Sequence, residues 1–127
     1  MRFSIEKTAH SPLMKFEDGV LLIEGRSIPE DSFSVYEPLF KFIERFSADF
    51  QNIEIQFRLE YANSSTNRSL MTLFEIMEEH QTKGNNIVIS WYYAINDKEM
   101  LDLGSDFKDL VPFKFELKEV ESLDSIS

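Results

Sequence analysis

Ile53-Glu54-Ile55-Gln56-Phe57-Arg58-Leu59-Glu60 alternates apolar and polar side chains without a break. Successive side chains of a strand point to opposite faces, so this run sets Ile53, Ile55, Phe57 and Leu59 against a core and leaves the other four facing water. A strand covered on both faces reads instead as one continuous apolar run. The stretch therefore decides the fold class: an α/β domain in two layers, with helices packed on one face of a mixed sheet.

Working outward, Leu13-Met14-Lys15-Phe16 and Val20-Leu21-Leu22-Ile23-Glu24 flank Glu17-Asp18-Gly19. Asp-Gly between apolar runs predicts a tight hairpin, because Gly accepts positive φ at no steric cost. A helix follows the loop Gly25 to Glu30, with Asp31 or Ser32 as its N-cap. Phe33, Tyr36, Phe40 and Ile43 form its apolar face, widened by Leu39, Phe42 and Phe46. Pro38 removes a backbone donor there, which predicts a kink or a helix starting near Glu37. On the other side, Leu70, Leu73, Phe74 and Met77 fall at i, i+3, i+4 and i+7 and predict a second helix, ended by Gly84 as a left-handed cap. Ile87 to Tyr93 reads as a strand, with Trp91-Tyr92-Tyr93 packed in the core and on the sheet face. Met100, Leu103 and Phe107 predict a short third helix, and Phe113 to Leu117 a last strand. The expected order is β-β-α-β-α-β-α-β. The domain spans residues 1–118, and residues 119–127, which carry Glu119, Glu121 and Asp124 without a core signal, are expected to form a frayed acidic tail.

The 127 residues fit one domain, and a hydrophobic content of 43% supports a packed core, rich in its 12 Phe. A net charge of −10, from 13 Lys and Arg against 23 Asp and Glu, weighs against nucleic acid and anionic membrane surfaces, which reward basic patches. Cysteine is absent. That removes disulfides, thiolate nucleophiles, zinc–thiolate sites and iron–sulfur clusters, and fits a reducing compartment. The first residues, Met1 to Lys7, show no apolar run of a signal peptide, and Val20 to Ile23 is far too short to span a bilayer. A soluble, cytoplasmic protein is expected.

Few residues suggest chemistry. His10 and His80 stand alone, without carboxylates at metal-ligand spacing. His80 reads as a partly exposed helix-terminal residue interacting with the dipole. No phosphate-binding glycine loop and no nucleophile elbow appears. No metal or cofactor is expected. Asp97, Glu99, Asp102, Asp106 and Asp109 form the densest acidic cluster; they read as a solvated helix face, with a charged partner surface as the functional alternative. The segment Asn63-Ser64-Ser65-Thr66 differs in kind, because it joins a strand end to a helix start, the edge where ligands meet such sheets. Helix capping accounts for one polar residue there but not for four. A phospho-acceptor explains the others equally well, since a phosphate at a first helical turn meets free N–H donors.

These residues carry a family resemblance. Ser11-Pro12, the run Gly25 to Asp31, the run Leu59 to Arg68, Trp91-Tyr92-Tyr93 and Gly104-Ser105-Asp106-Phe107 occur in the order seen in the SiaC family of bacterial regulatory phosphoproteins, which the chain resembles from about His10 to Leu117. The resemblance implies a STAS-like fold, of the type found in anti-sigma-factor antagonists. It also implies a non-catalytic partner switch. A dedicated kinase phosphorylates the hydroxyl after the Asn, a PP2C-type phosphatase removes the phosphate, and the unphosphorylated form binds an effector such as a diguanylate cyclase. The implied acceptor is Ser64. The family usually has Thr there followed by two serines, so Ser65 and Thr66 stand as alternatives; it also usually has Asn at Asp31 and Lys at Arg68. Asn63, Ser65, Thr66, Arg68, Arg26, Pro29 and Glu30 are the expected partner-binding residues. The competing reading is a small-ligand or enzymatic site on the Ser64–Arg68 edge with Arg26, and a structural oligomer is a third.

Overall fold

The alternating stretch lies in a strand of 11 residues in the computed structural model, which describes residues 2–126. Six strands form one sheet in chain order: β1 (Arg2–Ile5), β2 (Leu13–Glu17), β3 (Val20–Ser27), β4 (Asn52–Ala62), β5 (Asn86–Ala94) and β6 (Lys114–Val120). The β1–β2 and β2–β3 pairs are antiparallel and the remaining three are parallel. Three helices, α1 (Ser32–Phe46), α2 (Ser64–Thr82) and α3 (Lys98–Leu110), bridge the three parallel steps. Parallel crossovers are right-handed, so steps that all advance in one direction place all three helices on the same face. Ile55, Ile89 and Phe115 share one register row and are buried beneath the helices. The next row, Gln56, Ser90 and Glu116, belongs to the opposite face, where the Arg58 guanidinium and the Lys118 ammonium both approach the Tyr92 ring, at 5.3 and 5.5 Å. The two-layer mixed sheet and the predicted element order therefore hold, with β1 added at the start.

The Asp-Gly turn has positive φ at both residues, Asp18 at 53° and Gly19 at 82°, as a two-residue hairpin requires. The aromatic core centres on Trp91, with ring centroids 5.1 Å from Phe57 and 5.7 Å from Phe107. Its indole N–H donates to the Met100 carbonyl at 2.9 Å, satisfying the one polar atom of a fully buried side chain.

Local expectations differ from the structure in four places. Helix α1 does not start near Glu37: Asp31 caps it, accepting from Ser34 N–H, and it runs through Pro38. Pro38 sits on the solvent side, so the carbonyl it leaves unpaired faces water rather than the core. Phe33 is 55% exposed rather than part of the apolar face. The ordered chain continues past residue 118, as β6 to Val120 and then a 3-10 turn, Leu123–Ser125, lying against β4 and β5. His80 is buried at the end of α2 rather than partly exposed, and Ser47 Oγ lies 2.9 Å from its Nδ1. Gly84, with φ 101°, follows the helix end as expected.

Two stability predictions follow from this packing. A Cβ at Gly104 would press on the Trp91 ring and stand 2.9 Å from Leu117 Cδ2. Gly104→Ala is expected to cost about 1–3 kcal/mol through overpacking, despite the better helix propensity of Ala. A thermal melt as high as that of the parent chain would contradict this. Burial, and then the nearby Lys83 charge, hold the His80 pKa below its ordinary value, against the weaker pull of Glu79 and Glu44. The unfolded chain thus binds the proton more readily than the folded one. His80 contributes fully above about pH 6.5, and its contribution falls as pH drops from there through the lowered folded value. Urea denaturation between pH 5 and 7.5 should show His80→Gln losing this acid-side decline. A parent–variant difference independent of pH would refute it.

Candidate functional site

Strands β3 and β4 end side by side, with Ser27 in register with Ala62, and the two following helices begin there. Asn63 governs the junction. Its backbone is extended, with ψ 176°, and its Oδ1 accepts from Thr66 N–H at 2.8 Å, closing the first turn of α2. Its amide nitrogen Nδ2 donates to the Pro29 carbonyl at 2.9 Å, and its backbone N–H donates to the Ser27 carbonyl at 3.0 Å.

The three hydroxyls after Asn63 meet different fates. Thr66 is fully buried: its Oγ1 donates to the Ser27 carbonyl at 2.9 Å and lies 2.7 Å from Ser27 Oγ. Ser27 Oγ lies in turn 2.9 Å from the Tyr36 hydroxyl, whose pKa burial pushes up to about 12. Ser65 is half-buried: its Oγ donates to Ser32 Oγ at 2.8 Å and accepts from Ser32 N–H at 3.1 Å. Ser32 Oγ also donates to the Ser65 carbonyl and lies 2.6 Å from Ser69 Oγ. Ser64, the first residue of α2, is exposed, and its Oγ has no hydrogen-bond partner among the described residues. The first N–H groups of a helix lack intrahelical acceptors, so an anion on Ser64 would stand beside free donors at the positive end of the dipole.

The first turn of α2 is a ridge between two open grooves. On the α1 side, Arg68 lines a groove with Glu30, Asp31, Phe33 and Ser65. Hydrogen bonds from Ser34, chiefly from its hydroxyl, hold the Asp31 carboxyl below the usual range, so it stays ionised while capping α1. On the α3 side, Ser64 lines a groove with Tyr61, Asn67 and acidic residues of α3. The structure thus joins Asn63, Pro29 and Thr66 in one bonded cluster and Ser65 in a second one with Ser32, sets Glu30 and Arg68 beside them, and leaves Arg26 exposed on β3, opposite Tyr61 in register. Sequence reasoning missed Ser27, Ser32 and Tyr36, which hold these clusters from β3 and α1, and Ser69, one turn along α2. It also missed the exposure of Tyr61 and Phe33. Among the described residues, no three His, Asp or Glu are grouped to hold a metal ion, and no helix is long and apolar enough to cross a membrane.

Comparison with known proteins agrees with this architecture. Residues 5–120 match the family described as SiaC family regulatory phosphoprotein. An uncharacterized protein of Pseudomonas aeruginosa (strain UCBPP-PA14) is 28% identical over 104 residues, covering 81% of this chain and 82% of that protein. The solved structure of SiaC of Pseudomonas aeruginosa superposes with a TM-score of 0.85 at 27% identity, covering 94% of this chain and 99% of the other. SiaC of the same organism in complex with the diguanylate cyclase SiaD, whose activator it is, gives 0.86 at 26% identity, covering 93% and 99%. With a family match over nearly its whole length and the same fold in the solved relatives, the chain belongs to the SiaC family of regulatory phosphoproteins.

Proposed function

We propose that the chain is a non-catalytic partner switch set by phosphorylation of Ser64. The observation that carries this reading is the exposed, unbonded Ser64 hydroxyl at the first residue of α2, next to two hydroxyls already engaged. A kinase must reach its acceptor, and Thr66 is fully buried while Ser65 is bonded to Ser32. A cognate protein kinase adds the phosphate and a PP2C-type phosphatase removes it. The unphosphorylated form binds the effector, for which the complex of a related SiaC with a diguanylate cyclase suggests an enzyme of that class. This cycle belongs in the cytoplasm, where kinase and effector meet their nucleotides.

A phosphate contributes about −1.5 to −2 charges and three acceptor oxygens at a single point. The N–H groups of the α2 first turn stabilise it, and Arg68, one turn further along the helix, supplies the nearest cation on α2. Asn63, Pro29, Ser65 and Thr66 hold the turn that carries the switch and, with the exposed Glu30, Arg68 and Arg26, make up the partner-binding surface. A small-ligand or enzymatic site on the Ser64–Arg68 edge gains no support, because the two residues line different grooves and both grooves are open.

Ser64→Ala is expected to stay folded and bind the effector constitutively, while Ser64→Asp weakens capture of the cognate diguanylate cyclase at least tenfold. Equal capture by both variants would sink the switch. Intact-mass spectrometry and site mapping on protein from its native cells should place the phosphate on Ser64, and not on Ser65 or Thr66.

A further inference from the structure

Ser64 opens onto the groove between the start of α2 and α3, and that groove has a definite chemical character. Its floor is apolar, with Tyr61 44% exposed and Leu103 half-buried. Its α3 wall is acidic: Glu99, Asp102 and Asp106 follow at i, i+3 and i+7, one face of the helix, and among the described residues no Lys or Arg lines the groove. Asp102 has an exposed i,i+4 partner in Lys98 at 3.1 Å, a contact of small worth in water. Glu99 and Asp106 make no ion pair among the described residues. On the opposite wall, Asn67 Oδ1 is shielded from water and has no hydrogen-bond partner among the described residues.

We infer that this groove docks a basic segment of a partner protein, one that lays an apolar side chain over Tyr61 and Leu103 and sets Lys or Arg against the α3 carboxylates. Charge complementarity selects that occupant. A phosphopeptide or an anionic surface is repelled by three carboxylates, of which only Asp102 has a cation beside it among the described residues. A second copy of this chain brings the same acidic wall and a net charge of −10. An exposed aromatic ring beside charged rim positions is also the composition of interface anchors. Ser64 lines the same groove, so a phosphate there fills space the segment needs while its charge attracts the segment's Lys or Arg; the release in the proposed switch is then steric, acting against that attraction. The inference names the partner chemistry of the proposed switch and rests on that reading only for the role of Ser64.

The probe is an 18-residue amphipathic peptide with Leu on one face and Lys elsewhere, titrated into the 15N-labelled full chain. Amide shifts are expected to cluster on Tyr61, Asn67 and the Glu99–Asp106 face, and a Glu-for-Lys peptide should leave them unmoved. Asp102→Lys with Asp106→Lys is expected to weaken binding at least tenfold. Glu78→Lys with Glu79→Lys, the same charge change at the far end of α2, should weaken it less than twofold. Tyr61→Ala, checked for an unchanged melting profile, should weaken it at least threefold. Absent binding, shifts elsewhere, or equal losses in the two charge-reversed variants would overturn the inference, the last by reducing it to attraction toward an acidic protein. If the peptide seats in the groove while effector capture ignores Ser64→Asp, the docking site stands and the switch falls.

Discussion

Asn63 ties together two segments that are distant in sequence, residues 27–29 and 63–66. One carboxamide caps α2 through Thr66 N–H and holds the β3–α1 loop through the Pro29 carbonyl, while the residue's own N–H takes the Ser27 carbonyl at the end of β3. Losing an N-cap costs about 1 kcal/mol, and a buried carbonyl left without its donor costs about 1–3 kcal/mol more. More consequential is what the triple tie fixes. It sets the rotation of the α2 first turn, and with it which of three consecutive hydroxyls points inward to Ser27, which meets Ser32, and which faces water.

Much of the fold was legible because period-two alternation survives in single strands. Ile53 to Glu60 gave its buried and solvent faces correctly, and Asp18-Gly19 announced its hairpin through the one residue that takes positive φ freely. Strand β1 was not legible. Its four residues are too few for a pattern, and Phe3 earns its place by packing on Phe42, with centroids 4.9 Å apart, which no local reading contains. His80 failed in the same way. Its spacing gives a helix end, but burial comes from the turn carrying Ser47, 33 residues earlier.

The candidate site shows a sharper divide. That the strand–helix junction from Asn63 to Thr66 carries more polar groups than capping uses was readable, because capping needs one such residue and the chain supplies four. Which hydroxyl is free was not readable. Ser64, Ser65 and Thr66 are nearly interchangeable in local propensity, and only partners from β3 and α1 separate them: Ser27 for Thr66, Ser32 for Ser65. Choosing among equivalent neighbours is a tertiary property, carried by side chains more than 30 residues away.

The overall charge of −10 is a poor guide to how the surface responds to one phosphate. At physiological salt, charges further apart than about 8 Å are largely screened from one another, so Ser64 feels its own two grooves rather than the whole domain. Those grooves differ. The α1 side offers Arg68, set against Glu30 and an Asp31 already committed to capping, while the α3 side offers carboxylates alone. On the proposed reading, a phosphate on the ridge would be drawn toward Arg68 and pushed from α3, and the two sides would change in opposite senses: the α1 groove would have its cation engaged, and the α3 groove would gain negative potential with less open volume. A partner seated across the ridge would meet both changes at once, so the proposed modification of one hydroxyl on a capped turn would alter binding without the fold having to move.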